Sequence, residues 1–417
     1  MVRKYEIVNI DARQVFDSRG NPTIECTVTV GKGEGSARVP SGASTGKYEA
    51  VELRDGGKEY NGKGVSKAIN NIEEIIAPRL IGMDVRNQEE IDQLLIELDG
   101  TPNKSNLGAN ATTAVSLACC RTAANAKQVP LYQHIGTIAH QWEFQVPVPF
   151  FNIINGGKHA GNKLAVQEFM IAPKTDTFAK AMKIGVEVYH ELGEMLKKKY
   201  GKSATNVGDE GGFAPPISKT EEAIKLILKA VKQSGHEGEV YISLDVAASE
   251  TYKKGKYNID GKRMSTERLL EFYKELIKKY PIVNIEDPFQ EEDFKAFAKI
   301  TEETGIQITG DDLFVTNVER IKQGIQMRAC NALLLKVNQI GTLTEAIQAA
   351  KMAQQSEYKV MVSHRSGETS DPFIADLAVG IGAEQIKSGA PCRSERLAKY
   401  NRLLEIEQEG VSYIGWF

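Results

Sequence analysis

The hydrophobic and polar positions of the chain follow two patterns in succession. The first pattern covers about 45 residues and alternates as β-strands do, in the runs IVNIDARQVFDS, TIECTVTV and GSARV. Segments with helical periodicity follow near residues 65–80, 87–98 and 110–127, and Pro130 ends the last of them. Strands that precede helices in this order predict an α+β domain.

The second pattern begins near Val146 and predicts a barrel or a parallel sheet. From Val240 onward, short apolar runs alternate with helical segments, and the runs read YISLD, IVNIE, QITGD, ALLLK, KVMVSH and QIK. Alternation on this scale is typical of parallel strands joined by right-handed helical crossovers. We therefore expect an α/β protein with an N-terminal α+β domain at 1–135 and a second domain, built on a parallel sheet or a closed barrel, at 136–417.

Each of these six runs ends on a charged or titratable residue. The series is Asp245, Glu286, Asp311, Lys336, His364 and Lys387, with gaps of 41, 25, 25, 28 and 23 residues. The last four gaps fit one strand-helix unit each. Active sites of α/β barrels lie at the carboxyl ends of the strands, so we expect these six side chains to converge on one mouth.

Three of the six are acids, and together they suggest a metal site. Asp245, Glu286 and Asp311 would repel one another strongly without a cation between them. A few carboxylates with retained waters and a substrate oxygen suit magnesium. Asp312 is the alternative ligand to Asp311, and three separate salt bridges are the alternative to a metal.

Lys336 follows the apolar run at 332–335, so it lies at the end of a strand predicted to be buried. Desolvation would lower the pKa of its amine toward that of a working base. The alternative is a lysine that extends its ammonium group into solvent.

Polar residues outside the series add two kinds of chemistry. Glu168 lies at the end of a short strand-like run, VQE, and Glu210 lies in a glycine-rich loop, GDEGG. His364, Arg365 and Ser366 are suited to an anion, because a guanidinium fork and a hydroxyl bind phosphate well. On residue type alone, His159 in NGGKHAG and both acids could equally be ordinary loop residues.

Composition excludes several classes of partner. A formal net charge of −3 over 417 residues gives no sign of binding to nucleic acid or to an anionic membrane. No apolar run is long enough to span a bilayer, and the first residues are too polar for a signal peptide. The five cysteines lack CxxC spacing, so we expect reduced thiols in a cytosolic protein.

An ordered set of motifs then resembles the enolase family of glycolytic 2-phosphoglycerate hydratases, most closely its eukaryotic-type branch. The motifs run nearly from end to end and are PSGASTG (40–46), NGGKHAGNKLAVQEFM (155–170), GDEGGFAP (208–215), SLDVAASE (243–250), NIEDPF (284–289), GDD (310–312), LLLKVNQIGT (333–342), SHRSGET (363–369) and KSGAPCRSER (387–396). The resemblance implies a small α+β domain followed by an atypical (β/α)8 TIM-like barrel whose second strand runs antiparallel. It also implies two Mg²⁺ per active site, a cytoplasmic homodimer, and 2-phosphoglycerate and phosphoenolpyruvate as ligands.

The resemblance also implies roles for individual residues. Lys336 would remove the C2 proton, and Glu210, with Glu168 beside it, would assist departure of the C3 hydroxyl. The matching metal ligands are Asp245, Glu286 and Asp311 for one ion and Ser41 for the second. The groups around the substrate would be His159, Glu168, His364, Arg365, Ser366 and Lys387.

Physical logic supports this chemistry. A proton next to an ionised carboxylate is a very weak acid, and enolase-superfamily sites are a known example of a Lys or His base combined with one or two magnesium ions. Hydroxide leaves only with a proton, so we expect Glu210 to be kept protonated by neighbouring anions. We expect cationic neighbours to lower the pKa of Lys336.

Two other classes of function remain open from the sequence. One is an enolase-fold protein retained for a structural or surface-binding role, and the other is an acid-sugar dehydratase or racemase of the superfamily. The segment 256–267 looks shorter than the usual eukaryotic insertion, and the sequence lacks the customary basic tail. Both departures concern loops and surface binding more than chemistry.

Overall fold

The computed structural model describes residues 4–416, and the N-terminal part is the predicted α+β arrangement. An antiparallel sheet pairs the strands in the order β1-β2-β3, and α4 packs on β2 and β3. Strand β2 is buried along nearly its whole length. The elements are β1 (Ile7–Phe16), β2 (Pro22–Val30), β3 (Gly33–Arg38), α1 (Ser66–Asn70), α2 (Ala77–Leu80), α3 (Gln88–Asp99), α4 (Ala109–Lys127) and α5 (Leu131–Ala139), with a π-helical turn at Asn71–Ile76 between α1 and α2.

Helix α5 was not predicted from the sequence. Pro130 separates it from α4 and occupies the position just before its first residue, where the fixed φ of proline and its missing N–H cost nothing. The expected boundary between residues 135 and 136 falls inside α5. That boundary stays a prediction.

The larger part of the chain closes into an eight-stranded barrel. Its strands follow one another around the barrel in the order β4, β5, β6, β10, β11, β12, β13 and β14. The elements are β4 (Val148–Asn155), β5 (Glu168–Pro173), α6 (Phe178–Tyr200), α7 (Thr220–Gln233), β6 (Val240–Asp245), β7 (Tyr252–Lys253), β8 (Lys256–Ile259), β9 (Lys262–Met264), α8 (Thr266–Lys279), β10 (Ile282–Glu286), α9 (Phe294–Thr304), β11 (Gln307–Gly310), α10 (Val318–Met327), β12 (Ala332–Leu335), α11 (Val337–Ile340), α12 (Leu343–Gln355), β13 (Lys359–Ser363), α13 (Phe373–Gly380), β14 (Gln385–Lys387) and α14 (Ser394–Gln408).

Strand β5 runs antiparallel to both of its neighbours, as the resemblance implied. Its register pairs Glu168 with Asp245, the last residue of β6. Glu168 is therefore the first residue of its strand, whereas the sequence analysis placed it at the end of one. The reversal of β5 is what brings this carboxyl to the same mouth as the carboxyl ends of the parallel strands.

The insertion between β6 and α8 forms a small antiparallel sheet of β7, β8 and β9. This sheet was not predicted, because its strands are only two to four residues long. All five cysteines are free thiols. Within residues 4–416, no helix combines the length and the apolar character needed to cross a membrane.

Candidate active site

The carboxyl ends of the barrel strands meet at one mouth, as the strand-end series predicted. Asp245, Glu286 and Lys387 are the last residues of β6, β10 and β14. The other three members of the series directly follow β11, β12 and β13. A cavity of about 20 Å³, with room for about one water molecule, is lined there by Ser44, His159, Gln167, Glu168, Glu210, Asp245, Asp311, Lys336, Ser363, His364, Arg365, Ser366 and Lys387. All predicted site residues except Glu286 and Ser41 contribute to its lining.

Lys387 lies at the centre of the acidic side chains and is itself fully buried. Its Nζ is 2.8 Å from both carboxylate oxygens of Glu286, 3.3 Å from Glu168 Oε2 and 3.5 Å from Asp245 Oδ2. One ammonium does not balance these acids. Burial and the charge of Asp245 still raise the pKa of Glu286 well above its usual range, which means that the mouth holds more acids than its own cations can keep ionised.

Lys336 pairs with a carboxylate instead of standing alone. Its Nζ is 2.5 Å from Asp311 Oδ2, and both side chains are nearly buried. Burial is the largest influence and lowers the pKa of Lys336, but the neighbouring acids, Asp311 first and then Glu286, together outweigh it, and the net pKa lies above its usual value. Arg365 and Lys387 lower the pKa, as expected of cationic neighbours, but the net shift is upward because the nearest neighbour of the amine is an anion. The lowering expected from bound metal ions stays a prediction.

Asp287 holds the two acids that follow β11. Its carboxylate accepts hydrogen bonds from the backbone N–H of Asp311 at 3.0 Å and of Asp312 at 2.7 Å. Its own backbone is left-handed, with φ of 42°. Burial, Asp311 and Asp287 together raise the pKa of Asp312 well above its usual range. By accepting from the backbone of Asp311, the Asp287 carboxylate fixes the position from which the Asp311 side chain contacts Lys336.

The acidic side chains fit a divalent cation by charge and donor type. Within residues 4–416, two groups of three side chains place ligand atoms within 4.8 Å of one another: His159, Glu168 and Glu210, and Asp287, Asp311 and Asp312. The predicted trio Asp245, Glu286 and Asp311 is not grouped so tightly, since Lys387 stands between two of its members. Buried carboxylate oxygens with an uncompensated charge nevertheless form the hard donor set that such an ion requires.

Glu168 and Glu210 form a second buried pair. His159 Nδ1 lies 3.7 Å from Glu168 Oε1 and 3.4 Å from Glu210 Oε1. Burial and the charge of Glu210 raise the pKa of Glu168 well above its usual range. Burial also favours the neutral acid at Glu210, but His159 and His364 outweigh it and hold the pKa of Glu210 well below its usual range.

These opposite pKa shifts favour the neutral acid at Glu168 and the carboxylate at Glu210. The sequence analysis expected the neutral acid at Glu210, which is wrong for the chain without substrate. Asn152 donates a 2.9 Å hydrogen bond to Glu210 Oε2, and donors of this kind stabilise the ionised form. A neutral carboxyl at Glu168 does not require a hydrogen-bond donor of this kind.

The residues predicted to bind an anion are already engaged by the N-terminal domain. Arg365 makes two 3.0 Å hydrogen bonds to the Glu49 carboxylate and one to Asn338 Oδ1. Ser366 Oγ accepts a 2.7 Å hydrogen bond from the backbone of Ala43. Loop 39–53 thus closes over the barrel mouth, and a Cβ at Gly42 would lie only 2.1 Å from Arg365 Nη2.

Ser41 lies at the edge of this loop contact. Its backbone exchanges hydrogen bonds with Gly367, and its Oγ donates to Glu52 at 3.0 Å and accepts from Arg54 at 3.2 Å. The structure therefore places Ser41 beside the anion-binding turn, while its role toward a second metal ion stays a prediction.

Sequence reasoning missed several residues that shape this site. Asp287 and Arg396 lie inside the motifs NIEDPF and KSGAPCRSER, and Glu49 lies three residues after PSGASTG. Each is a charged residue in or beside a motif whose other members were assigned. That position was the available signal, but only the fold reveals which atoms they contact.

Comparison with known proteins identifies the whole arrangement. The model for "Enolase, N-terminal domain" matches residues 7–135, and the model for "Enolase, C-terminal TIM barrel domain" matches residues 143–415. An enolase of Methanocaldococcus jannaschii is 58% identical over 411 residues, or 98% of this chain and 96% of its own length. An enolase of Pyrococcus furiosus is 56% identical over 416 residues, with the same two coverages.

The chain belongs to the enolase family. It is accordingly a lyase, and the divalent cation that enolases use agrees with the surplus of buried carboxylates at its mouth. Neither the family models nor the relatives favour the alternatives of a structural protein or another acid-sugar dehydratase.

Proposed function

We propose that the chain carries out the enolase reaction, the reversible dehydration of 2-phospho-D-glycerate to phosphoenolpyruvate in glycolysis and gluconeogenesis, with Lys336 as the base. The observation that carries the residue roles is the shared cavity. One small space is lined by an amine, a pair of acids and an anion-binding turn, which are the three functions that the reaction needs.

Lys336 takes the proton from C2. It accepts that proton only as a neutral amine, and burial favours the neutral form while Asp311 opposes it. The ion pair with Asp311 therefore has to weaken when substrate binds. Asp311 is well suited to this change. Gln339 Nε2 donates a 2.8 Å hydrogen bond to Asp311 Oδ1, and the Asp311 backbone N–H donates to Asp287, so the residue stays in place when its contact with Lys336 weakens.

Asp245, Glu286 and Asp311 would hold one magnesium ion and Ser41 a second, and the bound ions would supply positive charge to the substrate carboxylate. The chain's own cations act on the same anion. Lys387 contributes a buried ammonium, and Arg365 with Ser366 contributes donors for the phosphate. His159 and His364 flank the substrate on the side of Glu210.

Glu168 and Glu210 manage the departure of the C3 hydroxyl. The two carboxyls hold one proton between them, and that proton leaves with the hydroxyl as water. The neutral member in the resting chain is Glu168, so we assign the pair, and not Glu210 alone, as the acid. We further propose a cytoplasmic homodimer, on the resemblance of the sequence to the family.

The test is ultraviolet detection of phosphoenolpyruvate formed from 2-phosphoglycerate, with magnesium, with chelator, and with Lys336→Ala. Loss of a general base predicts a fall in turnover of about 10²–10⁴-fold. Arg402→Met is a control for the loss of a largely buried ion pair, since Arg402 pairs with Asp376 at 2.9 Å inside the barrel domain and away from the cavity. Absence of turnover in folded protein supplied with magnesium would overturn the function. Turnover that survives Lys336→Ala would overturn only the base.

A further inference from the structure

Arg396, on α14, is a fully buried arginine that none of the assigned roles uses. It lies behind the active site, and its two terminal nitrogens reach both loops that carry functional residues. Nη1 is 2.6 Å from His364 Nδ1 and 2.6 Å from the Arg365 carbonyl, while Nη2 is 2.6 Å from the Ser366 carbonyl, 3.0 Å from the Asp209 carbonyl and 3.4 Å from Ser18 Oγ.

The contact with His364 fixes where the imidazole carries its proton. A guanidinium has only donors, so His364 Nδ1 has to accept from Arg396. Burial lowers the pKa of His364 to about 3, so the ring is neutral at ordinary pH. A neutral imidazole has one N–H, which must then be on Nε2, and Nε2 lies 3.4 Å from Glu210 Oε2.

We propose that Arg396 is a positioning residue that locks His364 in the Nε2–H tautomer and so directs an N–H at the Glu210 carboxylate. The inference rests on the proposed function for its effect on rate, but not for the tautomer. Without Arg396, the ring is free to carry its proton on Nδ1, and a lone pair would then face a carboxylate. Repulsion between the two would displace Glu210 or oblige it to take up a proton.

The same arginine couples the two loops. Its bonds to the carbonyls of Asp209, Arg365 and Ser366 hold the acid and the anion-binding turn at a fixed separation. Three carbonyls, two of them in buried hydrogen bonds, would lose their donor in a variant that lacks the guanidinium, so some loss of stability is expected as well. If Arg396 had only this structural role, its removal would lower stability and leave the tautomer of His364 unchanged.

Histidine-selective ¹⁵N NMR of the full-length protein separates the two roles. The chain has six histidines, and His364→Gln assigns the signal. We expect the wild-type ring to be neutral with its proton on Nε2 from about pH 5 to about pH 8. In Arg396→Met we expect the Nδ1–H form or a protonated ring, with kcat lowered by about 10–100-fold and KM changed much less.

Lys399→Met is the matched control. Lys399 is also buried on α14 and holds the same turn through Glu368 Oε2 at 2.7 Å, but its Nζ bonds to Glu368 and to the carbonyls of Thr369 and Glu395, and not to His364. We expect it to lower stability and leave the tautomer intact. A wild-type ring with its proton on Nδ1 overturns the proposal directly, whether or not any variant folds. A folded Arg396→Met protein that keeps both the tautomer and kcat overturns it too. In Arg396→Lys we expect partial rescue, because an ammonium also has only donors. If the wild-type ring shows the expected tautomer but the protein has no enolase turnover, the proposed function is wrong and the tautomer proposal stands.

Discussion

Glu168 and Glu210 show how two identical groups acquire opposite protonation states from their surroundings. Removing the charge of Glu210 in Glu210→Gln should lower the pKa of Glu168, because that charge is one of the causes that raise it. Burial remains, so the pKa should stay above its usual range. The protonated-acid carbonyl band in infrared difference spectra, followed against pH, measures the change. Glu168→Gln should lack this band. An unchanged titration in Glu210→Gln would show that burial alone protonates Glu168.

The identity of the mouth residues was predictable, but their charge states were not. Strand periodicity and spacing placed Asp311 and Lys336 at adjacent strand ends, because parallel strands share one carboxyl edge. Whether the pKa of Lys336 rises or falls depends on a 2.5 Å distance to one carboxylate oxygen. Such a distance follows from side-chain packing and from the turn held by Asp287, which the sequence pattern does not report.

At the scale of a loop, the contacts of 39–53 compete with substrate. Glu49 occupies the guanidinium of Arg365 that the phosphate would need. Glu49→Gln removes the competing charge and should lower KM for 2-phosphoglycerate by about fivefold, equivalent to about 1 kcal/mol. Steady-state kinetics at fixed magnesium measures it. A higher KM would mean that Glu49 orders Arg365 for substrate and does not compete.

Glu292→Gln is the control for this loop. Glu292 holds Lys47 and Tyr48 at the tip of the same loop but belongs to a different contact from that of Arg365. Loosening the tip without touching Arg365 should leave KM unchanged or raise it. A fall in KM for both variants would point to loop mobility as the cause.

His236, in the turn after α7, pairs with Glu187 on α6 and with Glu239, and the strength of these contacts depends on pH. Burial lowers the pKa of His236, but Glu239 and Glu187 outweigh it, and the pKa lies above its usual value. Its stabilisation is therefore full below the unfolded pKa of about 6.5 and is lost as pH rises through the folded pKa. His236→Gln should cost about 0.5 kcal/mol at acid pH and less at alkaline pH.

Urea unfolding at two pH values tests this, with His190→Gln on the exposed face of α6 as control. A loss of stability in His236→Gln that grows with pH would contradict an upward shift of the His236 pKa.

Strand β5 shows which feature of an element the sequence could not predict. Its residues read as a strand in either direction, and only the pairing of Glu168 with Asp245 shows that it is reversed.

In the whole molecule, neither domain completes the site alone. The barrel supplies the strand ends, and the N-terminal domain supplies Ser41 and Glu49 with the loop that closes the mouth. Domain docking should therefore control catalysis. Arg121 on α4 reaches across to Asp371, just after the anion-binding turn, with Nη2 to Oδ1 at 2.6 Å.

Arg121→Met should loosen this docking. Burial raises the pKa of Asp371, but Arg121 outweighs it and holds the pKa below its usual value. The pair therefore stabilises the fold above the unfolded pKa of about 3.9, and the effect is lost as pH falls through the folded pKa. Breaking a buried pair should cost about 3 kcal/mol at neutral pH, as measured by denaturant unfolding.

Arg402→Met provides the comparison, since Arg402 forms a similar 2.9 Å pair with Asp376 inside the barrel domain. Both variants should unfold more easily. Of the two variants, only Arg121→Met should speed hydrogen exchange at the backbone contact between Ser41 and Gly367, because Arg121–Asp371 joins the two domains whereas Arg402–Asp376 lies within one. It should also raise KM, since the loop that closes the mouth is carried by the domain that has loosened. Equal exchange at this contact in the two variants would show that the domains are held together elsewhere, and that the Arg121 pair stabilises the chain without controlling the site.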